Sequence, residues 1–222
     1  KLVFTVQPAT TTAGNTITPA VQVTARDAFD NTATGFTGNV TVAIGTNPSG
    51  GTLSGTTTVP AAAGVASFAN LSINKVGTGY TFTAGVTGLT GATSTTFTIT
   101  PGAAAQLIVT VQPSNTTAGI AIAPAVQVTA RDAQGNIATG FTGDVTVAIG
   151  TNPAGGTLSG ITTVAATSGV ATFSVLSINK SGTGYTLQAS SGVLAAATST
   201  AFTIAPGAAT QLVFTVQPTN TT

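Results

Sequence analysis

The chain has 222 residues, a formal net charge of +1, and only 4% charged residues. It contains no His, Cys, Met or Trp, and its four acidic residues are all Asp, at positions 27, 30, 132 and 144. The usual zinc ligand sets cannot be assembled from that inventory, a Ser or Thr nucleophile would lack its usual base, and no basic cluster offers a footprint for nucleic acid.

No apolar run approaches the roughly 18 residues of a membrane span. The expectation is therefore a non-enzymatic chain with no catalytic residue, cofactor, metal, nucleic-acid partner or membrane span. Low charge does not read as disorder, because Val, Ile, Leu and Phe are plentiful and regularly spaced.

In chain order, Leu2, Phe4 and Val6 alternate with Val3, Thr5 and Gln7. Val21, Val23 and Ala25 then alternate with Gln22, Thr24 and Arg26, and Val40, Val42 and Ile44 with Thr41 and Ala43. A period of two places one face of each segment in a core, and Gly, Asn, Pro and Asp between the runs supply turns. The pattern predicts strands over 2–7, 18–27, 39–45, 52–59, 64–73, 78–86 and 93–100, with a further short strand over 32–37. Phe68 and Leu71 stand three apart and break the alternation, which predicts a bulge at Ala69–Asn70.

The opening LVFTVQP of Leu2–Pro8 returns as LIVTVQP at Leu107–Pro113 and as LVFTVQP at Leu212–Pro218, a step of 105 residues. That period is too long for a helical solenoid and reads as whole domains in tandem. The expected organisation is one repeat over 1–100, a linker over 101–106, a second repeat over 107–205, a linker over 206–211, and over 212–222 the first strand of an incomplete third repeat. Each linker, PGAAAQ or PGAATQ, reaches about 20 Å at most, so the repeats are expected to follow one another closely. Without an initiator Met or a leader, the chain reads as a piece of a longer protein.

About seven short antiparallel strands per hundred residues is the pattern of an Ig-like β-sandwich, here without a disulfide. The GTGYTF and GTGYTL stretches place Tyr80 and Tyr185 where a tyrosine corner would stand, the hydroxyl free to bond backbone. Two residues on, Phe82 and Leu187 take the place of the second Cys, with Val23 or Ala25 the expected partner of Phe82. With VQVTARDAFDN, GFTGNVTVAIG, GTLSG and GVASFANLSI, these stretches resemble the bacterial Ig-like repeats of invasin- and intimin-type surface proteins. The resemblance runs through both repeats. It implies a stalk or spacer in a long extracellular or cell-surface protein, ligand binding being the business of special terminal domains.

Several residues invite a functional reading. Asp27 and Asp132 open the turns Asp27–Asn31 and Asp132–Asn136. Calcium needs six to eight oxygens and several carboxylates, and the second turn offers one, so both Asp are expected to accept bonds from turn amides. Lys75 and Lys180 read as solvated loop charges. Asn39, Asn70, Asn115 and Asn220 open glycosylation triplets, with glycans as a candidate covering.

Leu212, Phe214 and Val216 form a candidate strand-exchange segment, able to pair with a neighbouring copy by strand addition. The expected role is structural, as a stalk or a fibre subunit whose partner is itself. The alternative is an adhesin segment that binds a host or matrix partner through loop residues such as Phe29, which becomes Gln134 in the second repeat.

Overall fold

The computed structural model describes residues 1–192 and 194–217. They form two compact all-β units: Lys1–Ala105 together with Ala130–Phe141, and Gln106–Thr129 together with the chain from Thr142 onward. Segment Ala130–Phe141 lies inside the second sequence repeat yet groups with the first unit.

The first unit contains β1 (Leu2–Val6), β2 (Thr11–Thr12), β3 (Val21–Ala25), β4 (Asn39–Ile44), β5 (Leu53–Ser54) and β6 (Thr58–Pro60). It continues with β7 (Val65–Phe68), β8 (Ser72–Ile73), β9 (Gly77–Tyr80), β10 (Phe82–Gly85), β11 (Ala92–Thr93) and β12 (Phe97–Thr100). Sheet orders are β1-β3-β7, β11-β10-β4-β6 and β2-β12-β9, with β5 paired to β8. Together they make the antiparallel Ig-like sandwich, with one parallel pair, β2 beside β12.

The alternation explains the packing. Leu2 and Phe4 of β1, Val21, Val23 and Ala25 of β3, and Ala66 and Phe68 of β7 are buried against Val40 and Val42 of β4, Phe82 and Ala84 of β10, and Phe97 and Ile99 of β12. Phe82 stacks at a tilt on Phe97, with ring centroids 4.9 Å apart, a geometry aromatic pairs favour. Outward positions carry Thr, which suits a pleated, half-solvated surface. Cross-strand Thr5 and Thr24 share a hydroxyl–hydroxyl hydrogen bond of 2.8 Å.

The second unit repeats the plan with β13 (Gln106–Val111), β14 (Thr116–Thr117), β15 (Val126–Arg131), β16 (Asp144–Ile149), β17 (Leu158–Ser159) and β18 (Thr163–Ala165). Then follow β19 (Val170–Phe173), β20 (Ser177–Ile178), β21 (Gly182–Tyr185), β22 (Leu187–Ser190), β23 (Ala197–Thr198) and β24 (Phe202–Ala205). Its sheets are β13-β15-β19, β18-β16-β22-β23 and β14-β24-β21, with β17 paired to β20.

The structure corrects the predicted strands in a consistent way. The runs 52–59, 64–73, 78–86 and 93–100 are each broken in two, and the halves pair with different neighbours. β5 pairs with β8 whereas β6 pairs with β4, and β9 pairs with β12 whereas β10 pairs with β4. A polar residue holds each crossing. Thr81 Oγ1 accepts the Thr46 N–H at 2.8 Å, and Ser94 Oγ accepts the Phe82 N–H at 2.8 Å.

Asn70, at the predicted bulge, lies between β7 and β8 and accepts the Thr56 N–H at 2.8 Å. Residues 32–37 form no strand, only a single bridge from Thr32 to Arg26. The 18–27 run shortens to Val21–Ala25, and β2 and β14 form where no strand is predicted. Residues 206–217 also lie outside any strand. A lone first strand has no sheet to join, and Leu212, Phe214 and Val216 are exposed.

Candidate functional site

The polar side chains of each unit concentrate where chain segments cross. Tyr80 is fully buried and its hydroxyl donates to Lys75 O at 2.9 Å. Tyr185 does the same to Lys180 O at 3.0 Å. Burial pushes the Tyr80 phenol above its ordinary pKa, with the Ser49 hydroxyl opposing it. Phe82 and Leu187 are buried, and each donates its backbone N–H to a serine, Ser94 or Ser199.

A second group ties the first segment of each unit to its last. β2 and β12 run parallel, in register Ile99 to Thr11 and Thr100 to Thr12, and Ala13 N–H donates to Thr100 O at 2.9 Å. Upstream, Gln7 Oε1 accepts the Thr95 N–H at 2.9 Å. The second unit matches: Thr116 to Ile204 and Thr117 to Ala205 in parallel, Gln112 Oε1 taking the Thr200 N–H at 2.8 Å, and Asn115 Oδ1 taking the Thr203 N–H at 2.7 Å. Neither Gln7 nor Gln112 stands out in the sequence. Their one signal is recurrence at a step of 105 residues, and the same signal marks Asn47 and Asn152, whose side chains close the turns onto Gly51 and Gly156.

The two Asp turns share a shape and differ in setting. Asp27 Oδ1 accepts the N–H of Phe29 at 2.9 Å and of Asn31 at 2.8 Å, and Asp132 Oδ1 accepts those of Gln134 at 2.9 Å and Asn136 at 2.8 Å. Asp27 is exposed, and its bonds to Asn31, led by the side-chain amide, hold it below the ordinary carboxylate range. Asp132 is only 2% exposed.

Burial pushes the Asp132 carboxyl up, but the N–H groups of Gly102, Asn136 and Gln134 and the Asn136 amide outweigh it and hold the pKa below 3.8. Within the first unit Asp132 Oδ2 accepts the Gly102 N–H at 3.0 Å. Asn136 Nδ2 donates to Asn74 O at 2.9 Å, and Asn136 Oδ1 accepts the Val76 N–H at 3.3 Å. Asp30 pairs with Lys1 at 2.8 Å, which holds its carboxyl low.

Other candidates disperse. Among the described residues no three His, Cys, Asp or Glu gather to hold a metal. Asn39 is exposed at the start of β4, whereas the Asn70 amide also donates to Thr56 Oγ1 at 3.2 Å and that of Asn115 is engaged by Thr203. Asn220 lies outside the described residues. Lys75 is half-buried and Lys180 exposed. Among the described residues no helix is long and apolar enough to cross a membrane.

Neither a protein-family model nor a curated protein sequence matches the chain. Among solved structures it is similar to a β-glycosidase from Bacteroides vulgatus, at 14% identity and TM-score 0.41, over 92% of this chain and 24% of that one. It is similar to a C-terminal 282-residue fragment of intimin, solved with the intimin-binding domain of the translocated intimin receptor, at 16% identity and TM-score 0.30, over 92% and 62%. It is also similar to invasin, a bacterial integrin-binding protein, at 18% identity and TM-score 0.34, over 92% and 39%. The chain spans less than two thirds of each of these proteins. No role passes from them to it, and the Ig-like sandwich is assigned from the sheet order and core.

Proposed function

We propose that the chain is a load-bearing structural element, a stalk or fibre segment, of a repetitive extracellular or cell-surface bacterial protein. The observation that supports this reading is the parallel pairing of β2 with β12 and of β14 with β24. In such a pair the chain enters at one end and leaves at the other. Tension applied through the termini of a unit then shears its hydrogen bonds together instead of peeling them one at a time. Gln7 on Thr95 and Gln112 on Thr200 add a side-chain tie along the same seam.

The rest of the polar inventory is spent on turns and crossings, which suits a part selected for holding its shape. Stretching single molecules tests the reading. Two unfolding events are expected, each releasing a contour length on the order of 350 Å, since an extended chain gains roughly 3.3–3.6 Å per residue. Gln7→Ala and Gln112→Ala should each lower one of the two unfolding forces. Units that extend without a force peak, or forces indifferent to both substitutions, would overturn it.

A further inference from the structure

The first unit is not finished where its repeat ends. The chain leaves it at Ala105, builds Gln106–Thr129 into the second unit, and returns with Ala130–Phe141. Backbone groups of the first repeat tie the returning segment down. Ala105 N–H donates to Arg131 O at 2.8 Å, and Gly102 N–H donates to Asp132 Oδ2 at 3.0 Å. Val76 N–H donates to Asn136 Oδ1 at 3.3 Å, and Asn136 Nδ2 donates to Asn74 O at 2.9 Å. Asp132 and Asn136 are buried there, and Val76 packs on the core of the first unit. The Gln134 side chain lies over Gly14, where an added Cβ would stand 2.6 Å from Gln134 Nε2. The Asp132–Asn136 turn is thus seated in the first unit.

The second repeat presents that turn. β15 passes from one unit into the other between Thr129 and Ala130, and its Val126–Thr129 part is held against β19, in register Val126 to Phe173 and Thr129 to Val170. Shortly past Phe141, β16 begins at Asp144 and pairs with both β18 and β22. While these sheets stand, both ends of the segment are fixed, and the turn meets its seat without closing a loop. Once they melt, seating the turn must first close the floppy Gln106–Thr129 stretch. That entropic cost is of the same order as the return from the four hydrogen bonds.

We infer that the Asp132–Asn136 turn couples the folding of the two units, so that the first keeps its full stability only while the second is folded. Coupling of this kind is reciprocal, and the second unit gains the same factor from the first. Stability is then shared between neighbouring repeats, as in arrays whose stability sums repeat and nearest-neighbour terms. The 105-residue sequence repeat is not by itself the folding unit. The inference stands apart from the load-bearing reading, because coupling is read at zero force and either can fail alone.

Hydrogen exchange in the full 222-residue chain tests the inference, read at the slowest amides of β4 and β16, an interior strand in each unit. Leu187→Asp puts a charge into the core of the second unit and should unfold it. Exchange in β4 should then speed up at least about tenfold, as the bonds of the seated turn are lost. Phe82→Asp should unfold the first unit and speed β16 by the same factor. Asn136→Ala leaves both cores intact and should speed β4 and β16 together. Asn31→Ala is its control. It removes the matching internal bond, Asn31 Nδ2 to Asp27 Oδ2 at 3.1 Å, and should leave β16 unchanged. With Asn136→Ala in place, Leu187→Asp should have little left to add in β4. Exchange in β4 indifferent to Leu187→Asp overturns the inference. So does an effect of Leu187→Asp that is equal with and without Asn136→Ala, which would place the coupling outside the turn. If both aspartate variants lose all structure, unchanged β16 exchange in Asn136→Ala overturns it alone.

Discussion

At the residue scale, buried hydroxyls tie the core to the backbone around it. Tyr80 is the clearest case, its ring in the core and its hydroxyl on Lys75 O. Tyr80→Phe should cost about 1–2 kcal/mol in denaturant unfolding, because it leaves a buried carbonyl without its donor. The raised pKa of the phenol has a direction to test. A folded-state value above the unfolded one gives stability that is complete below about pH 10 and lost as the pH climbs through the folded value. The alkaline limb of the first unit should therefore flatten in Tyr80→Phe.

Gly55 answers a different constraint. Its φ is +103° and an added Cβ would stand 2.2 Å from Asn70 O, so Gly55→Ala should destabilise by roughly 2–4 kcal/mol in the same assay. The sequence shows Tyr80 by its place in GTGYTF. It shows Gly55 only as one more turn glycine, because the carbonyl above it arrives from a segment 15 residues away.

At the element scale, the informative feature is the broken strand. The alternation continues across the break in the 52–59 and 78–86 runs and slips by one residue in 64–73 and 93–100, yet in all four both halves turn their apolar side to one core. What changes is the neighbour. Period-two patterning reports burial and is silent on partnership, so four long strands are predicted where eight short ones form. Each crossing depends on one hydroxyl or amide. Ser94→Ala removes the acceptor for the Phe82 N–H at a buried site, and a loss of about 1–3 kcal/mol is expected. Hydrogen exchange at the Phe82 amide should show the loss locally, with the Ser199→Ala counterpart acting at Leu187.

At the scale of the molecule, acid stability should be lopsided between the two Asp turns. The Asp132 carboxyl is held below 3.8, and a depressed folded-state pKa gives stability present above the unfolded value and lost as the pH falls through the folded one. The seated turn of the first unit should therefore be indifferent to pH above about 5 and loosen below about 4. Following the Gly102 amide by NMR during an acid titration reads this out, and Asp132→Asn should remove the pH dependence. Asp27, exposed and bonded only within its own turn, should show its acid transition without any change at Gly102.

The sequence by itself determined the fold class, the duplication and the core face of nearly every strand, because burial imposes a period that a linear pattern records directly. It placed Asp27 and Asp132 at equivalent positions but could not tell them apart. Only the tertiary structure decided that Asp132 is buried on Gly102 while Asp27 faces solvent, that the long strands change sheets midway, and that Gln7 and Gln112 tie the first segment of a unit to its last. Those outcomes rest on contacts between residues 30 to 88 positions apart, and no local pattern encodes which distant backbone group a short polar side chain will meet.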